Sequence, residues 1–300
     1  MGFPVDVLTD SENVISAASR VWSSYRLIFA VPAVAVRVRV RRGHSSGVFH
    51  PPVCEFEEER LRIAGPLRSR AMCDLTTGAG FAQMTQEMAA DHAWLAYYFL
   101  EPLAYIGLEV LYMTALHSSC VALDGRAVLL CGDSGAGKTS LAYACARRGW
   151  TFISGDATHI VRNSPEFLVA GRPHQIRFRE CARQLFPELH LQTVSVRPNG
   201  RRDIEISPQD LGLASAGTAR AAHIVFLNRI DACSGTRIDR YPKEEAARRW
   251  RETSCWGNHR LRLKRWQSIE RFLELPVHRL TYTEVEDAET ALRSLMADRD

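Results

Sequence analysis

Residues 132–139 read Gly132-Asp133-Ser134-Gly135-Ala136-Gly137-Lys138-Thr139, a glycine-framed octapeptide closing on Lys-Thr. A backbone this rich in glycine can curl until its N–H groups point inward at phosphate oxygens. Lys138 would then reach the β and γ phosphates, and the Thr139 hydroxyl would hold Mg²⁺. Gly132 through Thr139, with Ser140 behind them, are therefore the candidate nucleotide-binding residues, with ATP and Mg²⁺ as the implied cofactors. The competing reading is an ordinary glycine turn ahead of a helix.

A phosphate-binding loop needs a carboxylate nearby, for Mg²⁺ or for the attacking nucleophile. One candidate lies downstream, where Ile224-Val225-Phe226-Leu227 runs into Asn228 with Asp231 beyond, and the fit is poor. The nearer candidate is Asp156, at the end of Phe152-Ile153-Ser154-Gly155-Asp156. It follows directly on the helix that the loop opens. An acid on the very next strand is unusual among phosphate-loop proteins and narrows the choice of function.

The flanking segments are of the right kind to position these residues. Ala127 to Cys131 is a short apolar run that reads as a buried strand. Ser140 to Arg148 is a good helix former, and Gly149 stands where a C-terminal cap belongs. Leu116 to Asp124 reads as a strand joined to the next by Asp124-Gly125, a hairpin signal. Trp150 to Ser154 is the strand leading to Asp156. Further on, Thr158 to Arg162 is expected to pair with Phe167 to Val169, and Asn199-Gly200 marks another hairpin. His223 to Leu227 and Pro276 to Leu280 read as strands. Pro242 to Arg251, Leu261 to Leu273 and Asp287 to Met296 read as helices. In the N-terminal part, Val34 to Arg41 alternates valine with mostly arginine, the pattern of a half-exposed strand. Cys54 to Ile63 and Ala71 to Thr76 are expected strands, and Gly43 to Pro52 a loop. Gln86 to about Met113 is expected to be helical with a break near Pro102. The seam between a mixed α+β N-terminal region, 1–113, and a nucleotide-binding region, 114–300, falls near residue 113.

His117-Ser118-Ser119-Cys120-Val121-Ala122-Leu123, the glycine loop, Arg147-Arg148-Gly149 and Ile153-Ser154-Gly155-Asp156 together resemble the kinase core of the HPr kinase/phosphorylase family. In that family a His opens the strand before the loop, an Arg-Gly ends the helix, and an Asp-Asp pair ends the next strand. The resemblance spans residues 117 to about 160 and continues weakly through Gly171-Arg172-Pro173-His174-Gln175-Ile176-Arg177. The N-terminal 110 residues do not resemble that family's regulatory domain, so the chain reads as a divergent relative. The resemblance implies an α/β fold, a phosphate-loop core related to phosphoenolpyruvate carboxykinase, and transfer of phosphate from ATP to a hydroxyl, serine foremost. It makes Asp156, matched to the second acid of the pair, a catalytic carboxylate and a metal ligand beside Thr139. It makes His117 a residue that orients or tunes that acid, and Arg177 the survivor of the family's Glu-Ile-Arg segment. Gly155 stands where the first acid of the pair belongs, and Gln175 where the glutamate does.

Each of these residues also has an ordinary reading: Asp156 as a turn former, His117 as a strand-end histidine, Arg177 as a solvated side chain. Three functions stay open. The first is a kinase acting on a protein, peptide or small molecule. The second is a nucleotide-binding regulatory module without transfer, favoured by Gly155. The third is an NTPase working on nucleic acid through arginine clusters, which strongly salt-dependent binding would reveal. The third is the weakest, because the net charge of the 300 residues is only +4 and the basic residues are scattered.

With 24% charged and 46% hydrophobic residues the composition is that of a globular protein. Eight cysteines, Cys233 among them, form no Cys-x-x-Cys pair or zinc spacing, which suggests a reducing compartment. The N-terminus lacks a signal-peptide pattern. The most apolar stretch, Trp94 to Leu116, is interrupted by Glu101, Pro102 and Glu109 and reads as buried helix, not a membrane span. A cytoplasmic protein without membrane partners is the expectation. The acceptor and the oligomeric state, a homo-oligomer included, are not written in the sequence.

Overall fold

Valine at alternate positions gives the N-terminal region an inner strand of its sheet. In the computed structural model, which describes residues 1–42, 50–231 and 235–298, Val34, Val36 and Val38 are buried while Arg37, Arg39 and Arg41 face solvent. Cys233 and most of the loop expected from Gly43 lie outside the described residues. The chain divides into two compact units. One comprises Met1–Met113 with the short segments Val196–Arg201 and Trp256–Arg262; the other holds the remainder.

The first unit runs β1 (Val5–Thr9), α1 (Glu12–Trp22), β2 (Val34–Arg41), β3 (Val53–Glu57), β4 (Arg60–Ala64), β5 (Arg70–Asp74) and β6 (Gly80–Thr85). Helical segments follow: α2 (Gln86–Ala90), α3 (His92–Leu95), a π-helical turn (Ala96–Leu100) and α4 (Glu101–Leu111). The sheet order is β1-β2-β6-β5-β4-β3, with β1, β2 and β6 parallel and the rest antiparallel. Leu95, Phe99, Leu100, Leu103 and Ala104 join the core with Val36, Ile63, Ala82 and Met84. Two expectations are corrected. Cys54 to Ile63 is a hairpin, not one strand, turning at Glu58-Glu59 where no Gly, Asn or Pro marks the turn. The helical run does not break at Pro102: a π-helical turn, Ala96–Leu100, directly precedes it, with the Glu101 N–H donating to the Ala96 carbonyl, and the chain continues as α4.

The chain continues, for the most part in the second unit, with β7 (Met113–Leu116), β8 (Ser118–Leu123), β9 (Arg126–Cys131), α5 (Lys138–Arg147), β10 (Thr151–Ser154), β11 (Thr158–Val161), β12 (Leu168–Ala170) and β13 (Ile176–Phe178). After two 3₁₀ turns come β14 (Val194–Val196), β15 (Arg202–Ile206), β16 (Thr218–Arg229), β17 (Arg237–Arg240), α6 (Lys243–Ser254), α7 (His259–Phe272), β18 (Val277–Tyr282) and α8 (Val285–Ala297). The 3₁₀ turns are Glu180–Gln184 and Pro187–Leu191. This is a mixed α/β arrangement. Among the described residues its large sheet has nine strands in the order β10-β8-β9-β16-β12-β11-β7, with β18 beside β16 and β17 beyond. A small sheet orders β13-β15-β14. The β8–β9 hairpin turns at Asp124 (φ 50°) and Gly125 (φ 77°), the left-handed pair of a type I′ turn.

Helix α5 is apolar on most sides and is correspondingly enclosed, with Leu141 through Ala146 all buried. Its C-terminal end is tied to α8 through Glu289, a fully buried carboxylate. That carboxylate accepts from Trp150 Nε1 at 2.7 Å and pairs with Arg148 at 2.9 Å and Arg293 at 2.7 Å. No helix among the described residues is long and apolar enough to cross a membrane.

Candidate functional site

Five strands of the large sheet bring the site residues to one edge. β9, β16 and β18 run parallel, with Cys131 level with Phe226 and Arg279 and with Arg229 level with Tyr282, so their carboxyl ends lie on one side. β8 is antiparallel to β9 with Ser118 opposite Cys131, so His117 begins β8 at the same edge. β10 is antiparallel to β8, with Ser154 beside Cys120, so Gly155 and Asp156 leave the sheet there too. Carboxyl ends of parallel strands are where open α/β sheets place ligands.

The loop leaves β9 at Gly132 and enters α5 at Lys138. Gly137 caps the helix in the left-handed region (φ 86°), and a Cβ there would stand 2.8 Å from the Tyr282 hydroxyl. Both constraints demand glycine. That hydroxyl donates to the Ala136 carbonyl at 3.2 Å, bracing the loop from β18. Burial pushes the Tyr282 phenol up to about 12, so it stays protonated as a donor. Asp133, Ser134 and Gly135 form an exposed crest. The first turn of α5 has no side-chain cap, so its N–H groups and the positive end of the helix dipole face the loop interior.

Lys138 is buried beneath that crest. Its Nζ donates to the carbonyls of Gly132 (2.8 Å) and Asp133 (3.0 Å) and lies 3.1 Å from His117 Nε2. Burial is the main cause of a lowered Lys138 pKa; the charges of Asp156, Cys131 and Asp133 oppose it. His117 is lowered too, by burial first and then by the Lys138 charge, against Asp156 and Asp133. On its other side, His117 Nδ1 lies 3.5 Å from Asp156 Oδ1, with the aspartate side chain 79% exposed. The structure thus brings together Lys138, His117 and Asp156.

The Thr139 hydroxyl donates to the Gly155 carbonyl at 2.7 Å, and the buried Ser119 hydroxyl donates to the same oxygen. Two elements therefore fix the backbone that carries Asp156. Ser119 gives no sign of this in the sequence beyond its place two residues after His117. A Cβ at Gly155 would meet only Phe152 Cζ and Thr139 Cγ2, each at an ordinary 3.5 Å, so sterics do not exclude an acid there. Close approach does fix Gly171, whose Cβ would stand 2.1 Å from the Ile153 carbonyl oxygen, on the strand leading to Asp156.

Arg177 is placed differently from the expectation. It faces Glu205 across the β13–β15 ladder and binds it at 3.0 Å. The guanidinium that reaches the loop is that of Arg179, whose Nη2 donates to Ser134 Oγ at 2.8 Å. Arg249 of α6 stands 4.0 Å from the Asp133 carboxylate, held by Glu245 at 3.4 Å and lying over the Phe226 ring. Sequence reasoning missed both. The signal for Arg179 was its position two residues from Arg177 on one strand face.

The residues fit a nucleoside triphosphate: a glycine-shaped turn, an uncapped helix N-terminus, and a lysine beneath. The Thr139 hydroxyl binds the carbonyl of Gly155, the residue that precedes Asp156. Among the described residues no group of three or more His, Cys, Asp or Glu side chains is placed to hold a metal ion. Mg²⁺ held with a nucleotide needs no such cage, because phosphates and waters supply most of its ligands.

The fold and this edge define a mixed α/β protein with a glycine loop between a strand and a helix. No family model matches the chain. A stretch of 73 residues is 33% identical to the HPr kinase/phosphorylase of Exiguobacterium sp. and covers 24% of this chain. The match spans about a quarter (24%) of that protein's length. Among solved structures, the HPr(Ser) kinase/phosphatase from Coxiella burnetii is similar with a TM-score of 0.32 and 12% identity. That similarity covers 61% of this chain and 90% of that one. The sequence match supports a divergent HPr kinase-like relationship.

Proposed function

We propose that this chain is an ATP- and Mg²⁺-dependent kinase with a phosphate-loop core of the HPr kinase and phosphoenolpyruvate carboxykinase type. Its acceptor is a hydroxyl, serine foremost, of a protein, peptide or small molecule. The observation that carries the reading is the convergence of Lys138, His117 and Asp156 at the mouth of the glycine loop. The loop N–H groups and Lys138 would hold the phosphates, and Thr139 and Asp156 would hold Mg²⁺, which supplies charge neutralisation. Asp156 would take the hydroxyl proton as that oxygen attacks the γ-phosphorus and the bond to the β–γ bridging oxygen breaks, releasing ADP. His117 donates its Nδ1 proton toward Asp156 and so keeps the carboxylate facing the loop. An enzyme spending ATP and carrying buried free thiols belongs in the cytoplasm.

A second reading, a nucleotide-binding regulatory module, is favoured by one observation: Gly155 leaves Asp156 as the lone carboxylate of the turn. The two separate in one experiment. Wild type, Lys138→Ala and Asp156→Asn are given ATP labelled at the γ-phosphate together with hydroxyl acceptors. The kinase reading expects transfer by wild type, its loss in both variants, and retained nucleotide binding by Asp156→Asn. Transfer undiminished in Asp156→Asn overturns it, and tight nucleotide binding without any transfer establishes the regulatory module.

A further inference from the structure

Resting on the nucleotide-binding reading above, we infer that Arg179 is a phosphate-facing residue that contacts the terminal phosphate of the bound triphosphate, and that Arg177 does not. Three observations carry this. First, Arg177 and Arg179 lie on one face of the same extended segment, with Ile176 and Phe178 buried on the other. Only Arg177 has a cross-strand carboxylate, Glu205, so its guanidinium is bound away from the loop. Second, among the described residues Arg179 has only a neutral partner there, the Ser134 hydroxyl on the exposed crest, at 2.8 Å. A planar guanidinium holding one neutral hydroxyl keeps further donors for an anion, and charge-assisted bonds to phosphate are stronger than the one it would leave. Third, the Arg179 charge is felt at Lys138, contributing to its lowered pKa. Two cations that repel one another at a glycine loop are both relieved by an anion between them. An arginine supplied in cis beside the loop is also the group that stabilises charge on a phosphoryl in transfer.

The test reads binding, so no acceptor is needed. MgATP and MgADP affinities of the full chain are measured calorimetrically for wild type, Arg179→Ala, Arg179→Lys and Arg177→Ala. A lost charge-assisted bond to the terminal phosphate should lower the ATP-over-ADP preference about tenfold or more in Arg179→Ala. Arg179→Lys keeps the positive charge and should restore part of that loss. Arg177→Ala should keep the wild-type preference. An Arg179→Ala protein that keeps the preference overturns the inference. So does an Arg177→Ala protein that loses it equally, since a loosened segment would then explain both. Failure of wild type to bind either nucleotide would instead sink the nucleotide-binding reading itself.

Discussion

Lys138 Nζ lies 3.1 Å from His117 Nε2, and an ammonium has only hydrogens to offer, so Nε2 is the acceptor of that bond. The proton of the neutral ring is therefore on Nδ1, toward Asp156 at 3.5 Å. Protonating His117 would remove the acceptor and set two cations against each other. Because burial and Lys138 hold the His117 pKa below its ordinary 6.5, the neutral ring persists through the usual histidine range. The kcat/KM for ATP should stay level from pH 8 to about 6.5 and fall only at lower pH. His117→Asn should lower the plateau by about tenfold to a hundredfold and abolish that acid limb. A pH–rate profile of both proteins checks this, and an unchanged limb in the variant would assign it elsewhere.

The turn after β10 offers a gain-of-function test. The room at Gly155 accommodates a Cβ at ordinary contact distances, and the carbonyl anchors from Thr139 and Ser119 do not depend on that side chain. Gly155→Asp should fold normally, with a melting temperature within a few degrees of wild type, and should raise phosphoryl transfer by about a hundredfold, the lower end of the range for general acid–base assistance. Thermal melts and labelled-phosphate transfer measure the two parts. A folded variant with slower transfer would show that one carboxylate is what this site requires.

Much of this site was legible in the chain because its signals are local. The glycine loop, the Asp124-Gly125 hairpin and the strand ending at Asp156 each announce themselves within ten residues, and the topology of adjacent strands then brings His117 to the loop. What was not legible depends on partners distant in sequence. Arg177 is matched by Glu205 through a ladder between β13 and β15, and the two-residue spacing alone does not tell which of the two arginines is left for the loop. The Tyr282 brace and Arg249 come from β18 and α6, more than a hundred residues downstream of the loop. In the first unit, the acidic run Glu57-Glu58-Glu59 hid a turn because its residues lack the usual turn types.

The Glu289 carboxylate holds α8 against the end of α5 and is fully buried, while its arginine partners are 40–47% exposed on their side chains. Removing the carboxylate strands the indole N–H of Trp150, itself buried, and leaves two guanidiniums that can still reach water. Glu289→Ala should therefore destabilise by about 2–3 kcal/mol, less than the loss for a pair buried on both sides. Arg293→Ala should cost under about 1 kcal/mol. Urea unfolding followed by tryptophan fluorescence compares them. Equal losses would mean that the arginine, not the buried acid, anchors the helix.

Acid stability should be set in part by His159, which lies on β11 in the sheet interior. Burial first, and then the Arg172 charge, lower its pKa to about 3. The folded-state pKa is below the unfolded value of 6.5, so between these limits the unfolded chain binds the extra proton. Stability from this residue is fully present above pH 6.5 and declines as pH falls toward 3. The decline is at most about 1.4 kcal/mol per pH unit for one group. His174 and His278, also lowered by burial, add to the upper part of the same window. His159→Leu removes a ring nitrogen that has no hydrogen-bond partner. It should leave stability at pH 8 within about 1.5 kcal/mol of wild type, as size-conserving core exchanges do. Its stability should also fall less steeply with acid across that window. Urea midpoints taken from pH 7 to pH 4 give both slopes. Parallel slopes in the two proteins would place the acid sensitivity on the carboxylates and not on this histidine.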